Sequence, residues 1–151
     1  VKIDYIGQHH PGGSHGFSFI KDGIKIVYAT DNELDMFLPE GRRINDKDLS
    51  IRKMPQHMID FVKGADLLIA DTQYKDSEYI SKIGWGHPRA STVVDLAIQA
   101  KVKQLALFHH DPMHSDREIN LMVATYRQRV INHNSLLVVF GGRERMELKL
   151  E

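Results

Sequence analysis

Short apolar runs that alternate with helical stretches constrain the fold of this chain more than any other feature. Residues 67–70 and 104–108 are mostly apolar and have the length of a strand. Residues 88–100 and 115–132 place apolar side chains three or four positions apart, which is the period of an amphipathic helix. Because helices that follow buried strands pack onto the faces of a sheet, this order predicts an α/β fold.

Further strands are predicted toward the two ends of the chain, at residues 1–6, 17–20, 24–30, 136–140 and 146–150. The Asp22-Gly23 pair between the second and third of these strands is a strong signal for a β-hairpin. Residues 35–53 are the long irregular segment of the sequence, and such segments in compact domains are often functional. No internal repeat or boundary interrupts residues 1–151, so we predict one folding unit.

Charge and cysteine content argue against several classes of protein. Lys plus Arg and Asp plus Glu number 20 each among 151 residues, so the formal net charge is zero. A neutral chain argues against a strongly basic nucleic-acid groove. Cysteine is absent, which excludes disulfides and thiolate ligands and fits the reducing cytoplasm. No apolar run approaches the roughly 20 residues that span a bilayer, so we expect a cytoplasmic protein without membrane contact.

Chemically reactive side chains follow three of the predicted strands. Asp31 follows the third predicted strand, Asp71 the fourth, and the pair His109-His110 the fifth. Because ligand-binding residues of α/β sheets gather at the carboxyl ends of strands, these side chains predict a metal or acid/base site. Asp31 and Asp71, taken singly, fit a capping or turn role better than a functional one. The histidine pair favours function, since buried imidazole nitrogens need polar partners.

Further histidines stand in loops, and neutral imidazole is a common metal ligand. His10 precedes a Pro-Gly-Gly turn, for which a turn with an incidental histidine is the alternative interpretation. His87 precedes Pro88 near the start of a predicted helix, where an ordinary residue of the helix N-terminus is the alternative. For His114 and Asp116 we expect a solvated role near a helix cap.

The order of these motifs resembles the metallo-β-lactamase-fold superfamily, and within it the ribonuclease Z-like and phosphodiesterase-like branch. The likeness rests on segments that together extend over nearly the whole chain: residues 10–17 (HPGGSHGF), 25–31 (KIVYATD), 67–72 (LLIADT), 87–92 (HPRAST) and 107–112 (LFHHDP). Each segment alone is unspecific. Their order and spacing together identify the family.

The resemblance implies an αβ/βα sandwich of four layers and two similar halves, of which this chain supplies about half. It also implies two divalent metal ions between the sheet edges, zinc above all, with manganese or iron compatible with the same ligands. By position, His10 would bind one metal, Asp31 would bridge both, and His109 would bind the other. His110 stays open as the alternative to His109. A bridging carboxylate offsets the repulsion between the two ions.

The same resemblance implies a hydrolase in which Asp71 orients His87 and His87 protonates the leaving oxygen. The nucleophile would be a metal-bound hydroxide. A phosphodiester is the expected substrate, and a small one, such as a cyclic nucleotide, is favoured over tRNA because the sequence lacks a basic, glycine-rich arm. One alternative is a metallohydrolase of a thioester or lactam, although the lactamase branch lacks the Asp71/His87 pair. Another is a non-catalytic half-domain that acts as a binding or sensory partner.

The opening motif of the family, His-x-His-x-Asp-His, is absent from this sequence. That motif supplies roughly half of the ligands, so His10, Asp31 and His109 alone leave a two-metal site incomplete. The sequence also begins with Val1 in a strand-like stretch rather than with methionine. We therefore expect residues 1–151 to be the C-terminal half of a domain, whose partner is the missing N-terminal half. The uncovered face would favour pairing or an oligomer.

Overall fold

The computed structural model of the chain describes residues 1–44 and 49–150, apart from the side chain of residue 44, and within these ranges six strands form one sheet. In chain order they are β1 (Lys2–Gln8), β2 (Ser14–Lys21), β3 (Ile24–Ala29), β4 (Leu67–Asp71), β5 (Gln104–Phe108) and β6 (Val138–Gly141). Their order across the sheet equals their order along the chain. The pairs β1/β2 and β2/β3 are antiparallel, whereas the three later pairs are parallel.

A tight turn joins β2 to β3 at the position that the sequence predicted. Lys21 pairs with Ile24 across the hairpin. The two residues between them, Asp22 and Gly23, have φ angles of 53° and 83°. A two-residue hairpin loop with positive φ at both central positions matches the twist of the flanking strands, and Asp-Gly adopts it readily. The predicted hairpin is therefore confirmed.

Helices supply the crossovers that parallel strands require. They are α1 (Glu40–Ile44), α2 (Gln56–Val62), α3 (Asp76–Tyr79), α4 (Ala90–Gln99) and α5 (Asp116–Asn132), with 3₁₀ turns at Leu34–Phe37 and Ile80–Lys82. Ser115 caps α5, because its side chain and that of Glu118 exchange hydrogen bonds with each other's backbone N–H groups.

The hydrophobic core lies on one face of the sheet. Alternate side chains of the parallel strands point into it, among them Val27, Leu68, Leu105 and Val139, each at most 1% exposed. Helix α4 packs on β4 and β5, and α5 packs on β6. The N-terminal part of α4 is buried on all sides, because this helix lies between the sheet and the segments that precede it.

The opposite face of the sheet carries large apolar side chains that stay exposed: Ile3, Tyr5, Phe17, Phe19, Tyr28 and Phe108. The strand register aligns them in rows, since Tyr5 pairs with Phe17 and Phe17 pairs with Tyr28. Contiguous apolar surface of this kind is typical of a face that another layer covers. We call this surface the open face.

The predicted strand at residues 146–150 is wrong, because this segment forms no strand. Leu148 and Leu150 instead line a cavity together with Phe19 and Ile26, so the segment lies against the open face. Alternating apolar residues suit a strand, but they also suit an extended segment that lies across a sheet and buries every second side chain.

The long segment that was predicted to be irregular is partly helical. Most of the first 3₁₀ turn and all of α1 fall within residues 35–53, while residues 45–48 lie outside the described part of the chain. Among the described helices, none combines the length and the apolar character that crossing a membrane would require.

Candidate metal and catalytic site

Three of the predicted site residues lie at the carboxyl ends of neighbouring parallel strands. Asp71 is the last residue of β4, His109 follows β5 directly, and Asp31 lies two residues after the end of β3. Ala29 pairs with Ala70 across β3 and β4, so these two strands end at nearly the same level. The parallel topology therefore brings side chains that are about 40 residues apart along the chain to one edge of the sheet.

Asp31 and His109 both leave their strands in the left-handed region of backbone conformation, with φ angles of 56° and 55°. Residues other than glycine adopt this region rarely, and such residues concentrate at functional sites. The backbone N–H of Asp31 donates to Oδ2 of Asp71 at 3.1 Å. This bond ties the turn after β3 to the end of β4.

Four predicted side chains form one cluster: Asp31, Asp71, His87 and His109, whose ligand atoms all lie within 4.8 Å of one another. Nδ1 of His109 lies 3.4 Å from Oδ1 of Asp31 and 3.4 Å from Oδ2 of Asp71. Nδ1 of His87 lies 3.8 Å from Oδ1 of Asp31. Two carboxylates and two imidazoles are a donor set that suits zinc, manganese or iron.

Asp71 and His87 make a short hydrogen bond, with 2.7 Å between Oδ2 and Nδ1. The Asp71 side chain is 1% exposed, and its Oδ1 also accepts the backbone N–H of Gln73 at 3.1 Å. Because an ionised carboxylate only accepts hydrogen bonds, this contact assigns a proton to Nδ1 of His87 and fixes the orientation of the ring. Nε2 of His87 is then the nitrogen that can meet a bound molecule.

Nδ1 of His109 is buried and makes no hydrogen bond within the described residues. The neighbouring Asp71 carboxylate raises the pKa of His109 above its usual value, and the charge of Asp31 acts in the same direction against the opposing effect of burial. A buried nitrogen that faces two carboxylates is a place for a cation. The cluster therefore fits a divalent metal ion.

His10 lies beside the cluster and is not one of its members. Its ring centroid is 5.5 Å from that of His87, and its Nδ1 accepts the backbone N–H of Gly12 at 3.2 Å. Gly86 permits the close approach, since a Cβ atom at this position would overlap the His10 ring. With Nδ1 occupied in this way, Nε2 is the nitrogen of His10 that a ligand could use.

The two histidines that follow His109 are partly buried, but neither belongs to the cluster. Both ring nitrogens of His110 are buried without a hydrogen-bond partner among the described residues, and burial lowers the pKa of His110. The His114 side chain is 4% exposed, and its Nε2 lies 3.0 Å from Oε2 of Glu78. The expected solvated role of His114 is therefore wrong, because its ring is enclosed and its Nε2 contacts the carboxylate of Glu78 in α3.

Sequence reasoning missed Glu33, which supports the loop that carries His87. The Glu33 side chain is fully buried, and its carboxylate accepts the backbone N–H groups of Gly84 at 2.7 Å and Gly86 at 2.8 Å. It also accepts the hydroxyl of Tyr79 at 2.7 Å. The one sequence signal for Glu33 was its position two residues after Asp31. This signal is weak, because many carboxylates in such loops are solvated.

Asp35 was missed in the same way, and it anchors the start of α4. Its buried carboxylate accepts Nε of Arg89 at 2.7 Å, the backbone N–H of Arg89 at 2.9 Å and the hydroxyl of Thr92 at 2.6 Å. Asp35 and Arg89 are at most 1% exposed. The segment after Asp31 therefore holds both the loop before His87 and the helix after it.

The sequence is similar to curated enzymes, although no family model matches the chain. It is 39% identical over 106 residues to a ribonuclease Z of Saccharolobus islandicus. It is 36% identical over 106 residues to a ribonuclease Z of Saccharolobus solfataricus. Each match covers 70% of this chain and 28% of the relative, so the chain spans well under half of the length of these relatives.

Solved structures with the same fold support the α/β prediction. Human tRNase Z, short form, has a TM-score of 0.60 and 17% identity, over 99% of this chain and 43% of that chain. The metallo-beta-lactamase fold protein YhfI from Bacillus subtilis has a TM-score of 0.55 and 15% identity, over 91% of this chain and 46% of that chain. The predicted fold class is thus confirmed: the chain has the metallo-β-lactamase fold, and its sequence is similar to enzymes named ribonuclease Z, as the resemblance implied.

Proposed function

We propose that this chain provides the C-terminal half of a metal-dependent hydrolase of phosphodiester bonds. The observation that carries the proposal is the cluster of Asp31, Asp71, His87 and His109, with all ligand atoms within 4.8 Å of one another. Such a cluster combines groups that hold cations with a group that can transfer a proton. The similar enzymes are named ribonuclease Z, and a ribonuclease cleaves phosphodiester bonds.

Asp31, His109 and His10 would hold the divalent ions. The unpartnered Nδ1 of His109 supports this assignment, as does the side chain of Asp31, which is 41% exposed and open to a ligand. Bound ions would polarise the phosphate and acidify a water molecule for attack on phosphorus.

His87 would supply the proton that the leaving group needs. As the bond from phosphorus to the attacking oxygen forms, the bond to the leaving oxygen breaks, and that oxygen takes the proton from Nε2 of His87. Asp71 keeps the ring in place through Nδ1, at 2.7 Å. Its negative charge stabilises the protonated ring before transfer, and His87 regains a proton from solvent afterwards.

The missing N-terminal half, with its His-x-His-x-Asp-His motif, would complete this site. His10, Asp31 and His109 are too few ligands for two ions, because a catalytic zinc takes at least about three from the protein. The open face supports the proposal, since exposed aromatic side chains such as Tyr5 and Phe17 suit a second sheet layer. We therefore infer that residues 1–151 are one half of a two-part domain.

A nucleotidyl phosphodiester is the substrate class that best suits these features. The names of the curated relatives favour RNA. The zero net charge and the lack of a basic arm favour a small diester, such as a cyclic nucleotide. Both substrates present the same reacting group, a phosphodiester beside a nucleoside.

Elemental mass spectrometry of the chain, alone and assembled with the N-terminal half, tests the proposal. We expect about two metal ions per assembled complex and hydrolysis of bis(p-nitrophenyl) phosphate. Asp31→Asn and His109→Ala should lose metal, whereas Asp71→Asn should keep it and lose activity by roughly 10²- to 10⁴-fold. His133→Ala, after the C-terminal end of α5, is the matched control and should change neither property.

Two results would contradict the proposal. An assembled complex that binds no metal would identify the chain as a non-catalytic binding or sensory half. A metal-loaded complex that hydrolyses thioesters or lactams but not phosphodiesters would overturn the substrate class. Sedimentation of the chain alone would test the expected self-association, which a clean monomer would contradict.

A further inference from the structure

Trp85, the single tryptophan of the chain, lies in solvent two residues before His87. Its side chain is 58% exposed, so burial in the core does not account for an indole at this position. Aromatic side chains of this size contribute to folding mainly through the area they bury. An exposed indole next to a candidate catalytic histidine therefore points to a ligand.

The backbone around Trp85 is held firmly. The buried Glu33 carboxylate accepts the N–H groups of both flanking residues, Gly84 and Gly86, at 2.7 and 2.8 Å. The two glycines have φ angles of 86° and 94°, a region that glycine adopts readily. The N–H of Trp85 itself donates to the carbonyl of Lys82 at 3.1 Å. The backbone that carries the indole is thus held by hydrogen bonds to a buried carboxylate.

The ammonium group of Lys82 lies over the indole ring of Trp85. Nζ of Lys82 is 4.0 Å from the centroid of the Trp85 ring and 5.8 Å from that of Tyr74. The Tyr74 ring is 6.1 Å from the His87 ring. Lys82 makes no ion pair with any described carboxylate, so its charge is available to an anion.

We propose that Trp85 and Lys82 form a nucleoside subsite of the proposed phosphodiesterase, next to the scissile phosphate. The base stacks on the indole face that Lys82 does not cover, and the ammonium group of Lys82, at the indole, binds a non-reacting phosphate oxygen of the same nucleotide. Stacking on an aromatic side chain accepts any base, so the subsite selects nucleotidyl esters over simple alkyl esters. This inference rests on the proposed function for the position of the scissile bond.

The fluorescence of Trp85 can report whether the proposed subsite is occupied, because Trp85 is the single tryptophan of the chain. Titration of the chain with adenosine 5′-monophosphate, excited beyond the absorption of the base, should quench this emission, while ribose 5-phosphate should not. Lys82→Met should weaken binding of the monophosphate and leave binding of adenosine unchanged. Lys21→Met, at the β2–β3 turn, is the matched control. The same titration with 2′,3′-cyclic AMP and with a short oligoadenylate shows which of the two, a cyclic nucleotide or an RNA strand, binds more tightly.

Kinetics of the assembled protein test the same subsite. Trp85→Ala should raise KM roughly 5- to 150-fold for thymidine 5′-(p-nitrophenyl phosphate), the range that loss of one stacked base implies. The KM for methyl p-nitrophenyl phosphate, which has the same leaving group and no nucleoside, should stay unchanged.

The subsite would be overturned if Trp85→Ala changed the KM of both esters equally, or if nucleotides did not quench the fluorescence of Trp85. It would also be overturned if assembly with the N-terminal half shielded Trp85 from quenching by iodide. If the wild-type complex hydrolyses neither ester but nucleotides still quench Trp85, the proposed function fails and the nucleotide subsite stands.

Discussion

The buried carboxylate of Glu33 accepts the backbone N–H of Gly86 at 2.8 Å, and this bond joins two loops that carry candidate site residues. Gly86 immediately precedes His87. The backbone N–H of Glu33 donates to the carbonyl of His9 at 2.8 Å, so the same residue also holds the loop that contains His10. Glu33 therefore sets the position of one histidine relative to the other.

Replacing Glu33 with glutamine should loosen the loop around Trp85. The carboxylate accepts hydrogen bonds from three donors. A glutamine side chain would place its NH₂ group opposite at least one of these donors, and that hydrogen bond would be lost. Loss of hydrogen bonds to a charged acceptor should lower the free energy of unfolding by about 1.5–3 kcal/mol, measured by urea denaturation. Steady-state anisotropy of Trp85 should fall, because the loop that holds the indole becomes more mobile.

Asp66→Asn is the matched control for this change. Asp66 lies at the opposite end of β4 and accepts the backbone N–H of Lys25 and Nζ of Lys103, both at 2.7 Å. Its loss should destabilise the chain without changing the anisotropy of Trp85. If Glu33→Gln and Asp66→Asn had the same effect on anisotropy, Glu33 would have no specific role in the loop.

Alanine at position 86 should be more harmful than alanine at position 84. Both glycines have positive φ angles, 94° and 86°, and a left-handed conformation costs a residue with a side chain about 1–2 kcal/mol. A Cβ at Gly84 meets nothing within 4 Å, whereas one at Gly86 overlaps His10 and lies 2.8 Å from Cδ of Pro11. Urea denaturation should show the larger loss for Gly86→Ala, and the NMR signals of His10 should shift only in that variant. Equal losses with an undisturbed His10 would contradict the close contact.

The buried pair of Asp35 and Arg89 should behave as one unit. Asp35→Ala removes the carboxylate that offsets a buried guanidinium, and we expect it to lower the free energy of unfolding by about 3–5 kcal/mol. Thr92→Val, which removes one hydrogen bond of 2.6 Å to Asp35, should cost about 1 kcal/mol. The double variant Asp35→Leu/Arg89→Met should recover part of the loss of Asp35→Ala. Strictly additive effects in denaturation would show that the two charges do not depend on each other.

Glu118 should make stability depend on pH in the acid range. The backbone N–H of Ser115, helped by the ammonium group of Lys75, lowers the pKa of Glu118 from 4.5 to about 2. Because the folded state has the lower pKa, this stabilisation is present above about pH 4.5 and disappears as the pH falls toward about 2. Melting temperatures from circular dichroism should therefore fall less steeply over this window in Glu118→Gln than in the wild type. The exposed Glu147→Gln is the control, and a Glu118→Gln curve parallel to the wild type would refute the prediction.

Much of the site could be predicted from sequence, because a strand and the residue that follows it are recognised from a few neighbouring residues. Asp31, Asp71 and His109 each follow an apolar run, and parallel strands end at one edge, so their proximity followed from the order of the elements. The ligand set itself stays a prediction, since His10 lies beside the cluster and the family's first motif is absent from this sequence.

The failures have a common physical cause, which is that partners distant in sequence decide what a residue does. Glu33 and Asp35 look like solvated loop carboxylates until the loop at residues 84–86 and the first turn of α4 enclose them. The alternating segment 146–150 had the composition of a strand, but it lies against Phe19 and Ile26 and has no strand partner.

Local sequence patterns were sufficient to predict the α/β class, the hairpin at Asp22-Gly23 and the sheet edge at which reactive side chains gather. These follow from periodicity and turn chemistry, which act over a few residues. The identity of the buried carboxylates and of the imidazole nitrogens without a partner could be read only from the folded chain, because burial and hydrogen bonding depend on segments that meet after folding.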